Sequence, residues 1–150
     1  MSVREPFATG GCQCGAVRYA LDARPRTAEF CHCRMCQRAT GQVAAGFLDV
    51  DRAAFSWLGE PCANYRSSDK AQRGFCPKCG TPLTFDAFAE PTMAVSIGSL
   101  DDPNLVPLGG HCGIQSKVRW LRLNDGLPQR NTGEGVPAAP LWSELDQGHA

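Results

Sequence analysis

Nine cysteines constrain this 150-residue chain more than any other feature. Seven of them fall in three tight clusters: Gly11-Cys12-Gln13-Cys14-Gly15, Cys31-His32-Cys33-Arg34-Met35-Cys36 and Cys76-Pro77-Lys78-Cys79-Gly80. Their number is odd, and residues 1–10 lack the apolar core of a signal peptide. In a reducing compartment such thiols are metal ligands more often than disulfides, so a disulfide scaffold is the lesser alternative.

Zinc takes four ligands in a tetrahedron, with sulfur about 2.3 Å away. A C-x-x-C turn presents two sulfurs on one side of a tight loop, and Gly80, just after Cys79, tolerates the positive φ such a turn needs. Cys12 and Cys14 chelate in the same way if the chain bends, which the flanking glycines permit. Neither pair saturates zinc alone. Cys12 and Cys14 with Cys76 and Cys79 make a closed, structural site whose binding energy is folding energy. Cys31, Cys33 and Cys36 leave a fourth position for water or substrate, the pattern of a catalytic zinc. Spacing alone leaves other pairings open. His32 lies between two proposed ligands, but neighbours along a strand point apart, so it is expected to face away from the metal. Cys62 and Cys112 lie outside the clusters and read as small buried hydrophobes, Cys112 with less force because it adjoins His111.

Composition narrows the rest. A 43% apolar fraction with both charge signs present suits one globular domain. Fifteen basic and fifteen acidic residues cancel, so no cationic surface for nucleic acid is expected. There is no apolar run of 18 residues to span a membrane. The expected location is the cytoplasm. Gly and Pro punctuate short stretches of strand character at 17–21, 43–50, 54–58, 63–66, 82–88, 92–97 and 118–123, which predicts a mainly β architecture. One short helix is predicted at 34–40, stopped by Gly41, and a turn at 101–104. After residue 125 the composition turns to Gly and Pro. Residues 6–125 are therefore expected to form the zinc domain, and 126–150 a tail that is loosely packed, disordered, or pinned at Leu141 and Trp142.

These residues resemble a known family. The run from Gly10 to Tyr19 matches Gly-x-Cys-x-Cys-Gly-x-Val-Arg-Tyr, followed by Cys-His-Cys-x-x-Cys at 31–36 with Gly41 behind it. Phe75-Cys76-Pro77-Lys78-Cys79-Gly80-Thr81-Pro82-Leu83 and Gly98-Ser99-Leu100-Asp101-Asp102-Pro103 come next, then His111 ahead of Ser116-Lys117 and Trp120. The pattern is similar to that of the glutathione-dependent formaldehyde-activating enzymes, the CENP-V/GFA domain family, over about residues 10–121. Arg119 stands where proline is common before the tryptophan. The resemblance implies an Mss4-like fold of several short coiled antiparallel β-sheets held by zinc, with one or two short helices. It implies two zinc ions per chain: a structural one at Cys12, Cys14, Cys76 and Cys79, and a second at Cys31, Cys33 and Cys36. It also implies a carbon–sulfur lyase that interconverts S-(hydroxymethyl)glutathione with glutathione and formaldehyde.

Such a reaction needs proton transfer near neutral pH, for which His111 is the candidate. A cationic clamp for the glutathione carboxylates is expected from Lys117, Arg119, Arg34 and Arg38. The expected partners are a small thiol and its aldehyde adduct, not nucleic acid or membrane. Three competing readings remain: a same-family lyase or transferase on another thiol adduct, a non-catalytic zinc-binding interaction module, and a four-cysteine iron protein. The C-x-C pair disfavours the last, which uses two C-x-x-C pairs.

Overall fold

The structure, a computed structural model, describes residues 3–134, so Leu141 and Trp142 lie outside the described residues. It is mainly β, with ten strands, short 3-10 turns and one α-helix among the described residues. Two compact units divide the chain: residues 1–26 with 48–105, and residues 27–47 with the chain from 106 onward.

The first unit holds β1 (Ala8–Gly11), β2 (Arg18–Leu21) and β5 (Phe55–Trp57), an antiparallel sheet in the order β1-β2-β5. Tyr19 and Leu21 are fully buried, and the Tyr19 ring stacks on Phe55 at 5.4 Å. The Tyr19 hydroxyl shares a hydrogen bond with Ser99 Oγ at 2.7 Å. Gly10 is obligatory beside it, because a Cβ there would stand 2.3 Å from that hydroxyl. Arg18 donates to both carboxylate oxygens of Asp101, and Thr9 donates to the same carboxylate. These donors hold the Asp101 carboxyl down to about 2. Two separate sequence motifs, 10–19 and 98–103, are thus clasped together by polar contacts.

In the same unit β6 (Ala63–Arg66), β7 (Ala71–Phe75), β8 (Pro82–Ala87) and β9 (Thr92–Ser96) form an antiparallel meander. Leu83 and Val95 are fully buried on it. Gly74 leaves room for the Cys62 sulfur and the Thr84 hydroxyl, which a Cβ would meet at 2.6 and 2.2 Å. Cys62 is therefore buried as expected, its thiol pushed up by that burial. β4 (Ala45–Asp51) runs across the division between the units and buries Leu48 and Val50.

The second unit carries β3 (Thr27–Cys31), α1 (Arg34–Thr40) and β10 (Gly110–Cys112). The helix has the predicted bounds, and Gly41 ends it at φ 71 with its N–H on the Gln37 carbonyl. β10 and β3 pair in parallel, unlike the antiparallel pairing expected throughout. Residues 32–109 lie between them, ample length for the crossover a parallel pair needs. The strand predicted at 118–123 is not formed. Lys117 Nζ donates to the Val118 and Leu121 carbonyls at 3.0 and 2.5 Å, holding the segment as a turn. Past residue 125 the chain still pairs: His111 N–H donates to the Pro128 carbonyl, Arg130 N–H to the His111 carbonyl, and Arg130 bridges to Glu29 at 3.0 Å.

Candidate metal centres

In the first unit, β1 ends at Gly11 and the chain turns sharply. Gly15, at φ 81, donates to the Cys12 carbonyl, and the Val17 N–H donates to Cys12 Sγ at 3.2 Å. The hairpin between β7 and β8 repeats the device. Gly80, also at φ 81, donates to the Cys76 carbonyl, and the Lys78 N–H donates to Cys76 Sγ at 3.4 Å. Backbone N–H groups aimed at sulfur favour the thiolate over the thiol. Thr81 ties the two turns together, accepting from the Gln13 N–H at 3.1 Å and contacting Cys79 Sγ at 3.2 Å. With the Thr81 hydroxyl as the largest cause, the Cys79 thiol falls to about 5.

The sulfurs of Cys12, Cys14, Cys76 and Cys79 all lie within 4.8 Å of one another. Two zinc–sulfur bonds of about 2.3 Å at a tetrahedral angle put their sulfurs about 3.8 Å apart. Cys12–Cys14 at 3.6 Å and Cys14–Cys76 at 3.8 Å match that spacing. The donor set and its dimensions fit a tetrahedral, thiophilic ion such as zinc.

In the second unit the sulfurs of Cys31, Cys33 and Cys36 also lie within 4.8 Å of one another. Cys31 closes β3, Cys33 caps α1 with its sulfur accepting from the Cys36 N–H at 3.4 Å, and Cys36 sits in the first turn. Gln37 braces the loop, its buried amide donating to the His32 carbonyl at 2.8 Å and the Ser116 carbonyl at 3.2 Å. Gly113, at φ 68, lets the segment after β10 press on the same loop, since a Cβ there would stand 2.7 Å from Cys33 N. Three thiolates from six residues fit a zinc ion with one position left over.

His32 is not part of that set among the described residues. It is fully buried, and its Nε2 meets His111 Nδ1 at 2.9 Å. His111 Nε2 meets Asp125 at 2.7 Å, so both nitrogens of this buried ring are engaged. Contact with His111 holds the Asp125 carboxyl below its ordinary value, and burial depresses His32. Asp125 was not read as a site residue from the sequence. Cys112 also departs from the expectation of a buried hydrophobe: it is half-buried and its thiol hydrogen-bonds Cys31. The Cys112 side chain pushes the Cys31 thiol up, and the Cys31 side chain lowers that of Cys112. Of the proposed clamp, Arg34, Arg38 and Arg119 are exposed, and Lys117 is half-buried with its ammonium on the Val118 and Leu121 carbonyls.

The sequence matches the profile of the glutathione-dependent formaldehyde-activating enzymes over residues 7–111, more than half the chain. The chain belongs to that family. The fold is also similar to the crystal structure of a Rhodobacter sphaeroides protein, at a TM-score of 0.54 and 23% identity, covering 69% of this chain and 98% of that one. Family membership fits the two cysteine clusters and carries an expectation of glutathione and aldehyde chemistry.

Proposed function

We propose that this family member is a zinc-dependent carbon–sulfur lyase of the cytoplasm, acting on S-(hydroxymethyl)glutathione or a related thiol–aldehyde adduct. The observation that carries the reading is the three-thiol cluster, whose protein ligands stop one short of a closed tetrahedron. Cys12, Cys14, Cys76 and Cys79 hold a structural ion, and Cys31, Cys33 and Cys36 hold a second. When bound there, zinc supplies a position at which a sulfur is held as thiolate. Three thiolate ligands offset much of the ion's charge, which favours thiolate delivery over activation of the carbonyl.

In the cleavage direction the carbon–sulfur bond breaks, its electron pair goes to the sulfur, and the hydroxyl proton leaves as formaldehyde forms. The chain's own residues fix the geometry. Gln37 and Gly113 hold the 31–36 loop from two sides. Hydrogen bonds link Asp125, His111 and His32 in a chain that ends at buried His32 Nδ1, and His111, the one member engaged at both ring nitrogens, is kept as the proton-transfer candidate. Exposed Arg34, Arg38 and Arg119, with half-buried Lys117, are the cations offered to the glutathione carboxylates.

The test is turnover of S-(hydroxymethyl)glutathione by the purified protein and by Cys33→Ala. The expected result is saturable turnover in the first and none above background in the second. Equal rates in both would remove the three-cysteine cluster from the chemistry.

A further inference from the structure

We propose that Cys112 is a resident fourth sulfur donor to a metal held by Cys31, Cys33 and Cys36, and that it gives up this place to an incoming substrate thiol. This rests on reading the three-thiol cluster as a metal site.

The pairing of β10 with β3 puts Cys112 beside Cys31 and His111 beside Phe30. Side chains alternate along a strand, so the pair of strands has two faces. Phe30 and His111 stack at 5.9 Å on one. Cys31 and Cys112 share the other, where their thiols are in hydrogen-bond contact.

The backbone keeps Cys112 there. The His32 N–H donates to the Cys112 carbonyl at 2.8 Å, and Gly113 presses on Cys33. Residue 112 therefore cannot drift away from the 31–33 turn. Its sulfur is not one of the three within 4.8 Å of one another. It touches the cluster at the Cys31 corner, and ligation asks for a turn about its own χ1 toward Cys33 and Cys36.

This asymmetry separates the fourth donor from the other three. Three sulfurs come from one short loop braced by a helix cap, and the fourth from a different strand through a single side-chain torsion. The fourth is the donor that can leave without disturbing the rest. A thiol that takes its position returns a proton to the Cys112 sulfur, so one metal–sulfur bond replaces another and charge is unchanged. With Cys112 in place the site is closed to water, and it opens only to a ligand that competes as sulfur.

The test uses the metal-loaded protein. Its thiols are alkylated with iodoacetamide and Cys112 is followed by peptide mass, with and without a chelator and with and without saturating glutathione. Cys112 is expected to be protected in the loaded protein and to become reactive after chelation or with glutathione. In Cys112→Ser, binding of the second zinc equivalent is expected to weaken at least about 10-fold, the lower end of what even outer-shell losses cost, with the first equivalent unchanged. Cobalt loading should show fewer thiolate charge-transfer bands per chain in that variant. If the wild type binds two ions but Cys112 reacts equally fast loaded and stripped, the proposal is overturned and the metal site stands. If the wild type binds only one ion, the metal reading of the second cluster fails with it. A Cys31–Cys112 disulfide in protein purified under reducing conditions also overturns it.

Discussion

The two cysteine clusters solve the same coordination problem in opposite ways. The four-thiol cluster draws on two turns more than sixty residues apart, and each turn supplies its own backbone donors to sulfur. A metal there staples distant segments, so ligand loss is loss of fold. The three-thiol cluster comes from one continuous run on β3 and α1, and its loop is held by Gln37, Gly113 and the helix cap. Its three loop thiols close no long loop, and β10 is held against β3 by strand pairing, so removal of the metal leaves the scaffold standing. Long-range ligation gives stability, and local ligation leaves the metal free for chemistry.

The largest effect separating the two is expected from Cys76→Ser. Structural zinc sites in small domains are worth about 10–16 kcal/mol in apparent binding energy. The variant should lose cooperative unfolding in a thermal melt, as the wild type should after exhaustive chelation. A native-like melt would show that the first cluster is not a staple. Next is Gly113→Ala, which forces a non-glycine residue into positive φ and drives a methyl toward Cys33 N. It should destabilise by about 1–3 kcal/mol in denaturant titration and release the second ion before the first. Release of the first ion instead would contradict the assignment of Gly113 to the second loop.

Cys33→Ala removes a helix cap and a ligand together. Its folding cost should be only about 0.5–2 kcal/mol, the ordinary cost of a lost cap. A collapse of the fold would mean that the second cluster is as structural as the first. The smallest effect concerns Asp101, whose carboxyl is held down to about 2 by Arg18 and Thr9. A depressed acid contributes stability that is present above its unfolded value, near 3.9, and is lost as pH falls through about 2. Both side chains of this pair are part-exposed, so the contribution is small. Melting temperatures between about pH 5 and 2 should fall less steeply in Asp101→Asn than in the wild type. Parallel slopes would mean that the clasp does not titrate with folding.

Much of this was readable where the determinants are local. The helix at 34–40 carries its own stop in Gly41, and strands at 63–66, 82–88 and 92–97 carry alternation or strand-forming side chains. The clusters were readable because each half of a site is set by its own turn. β7 was not, since its buried positions are Ala71 and Gly74, which give no apolar alternation. β3 and the three-residue β10 were also unread, being short and specified by each other. The segment 118–123 looked like a strand from Val118, Leu121 and Leu123, but the Lys117 ammonium takes its carbonyls. Cys112 and Asp125 escaped for a common reason. Their partners Cys31 and His111 are brought beside them only by the parallel register and the chain that follows it, which no local pattern encodes.

The most direct test of the two-site account is zinc per chain by elemental analysis, on protein purified without chelator and on Cys33→Ala in parallel. The account predicts two ions in the wild type and one in the variant, with both folded. One ion in each would contradict the second site, and none in either would contradict the account as a whole.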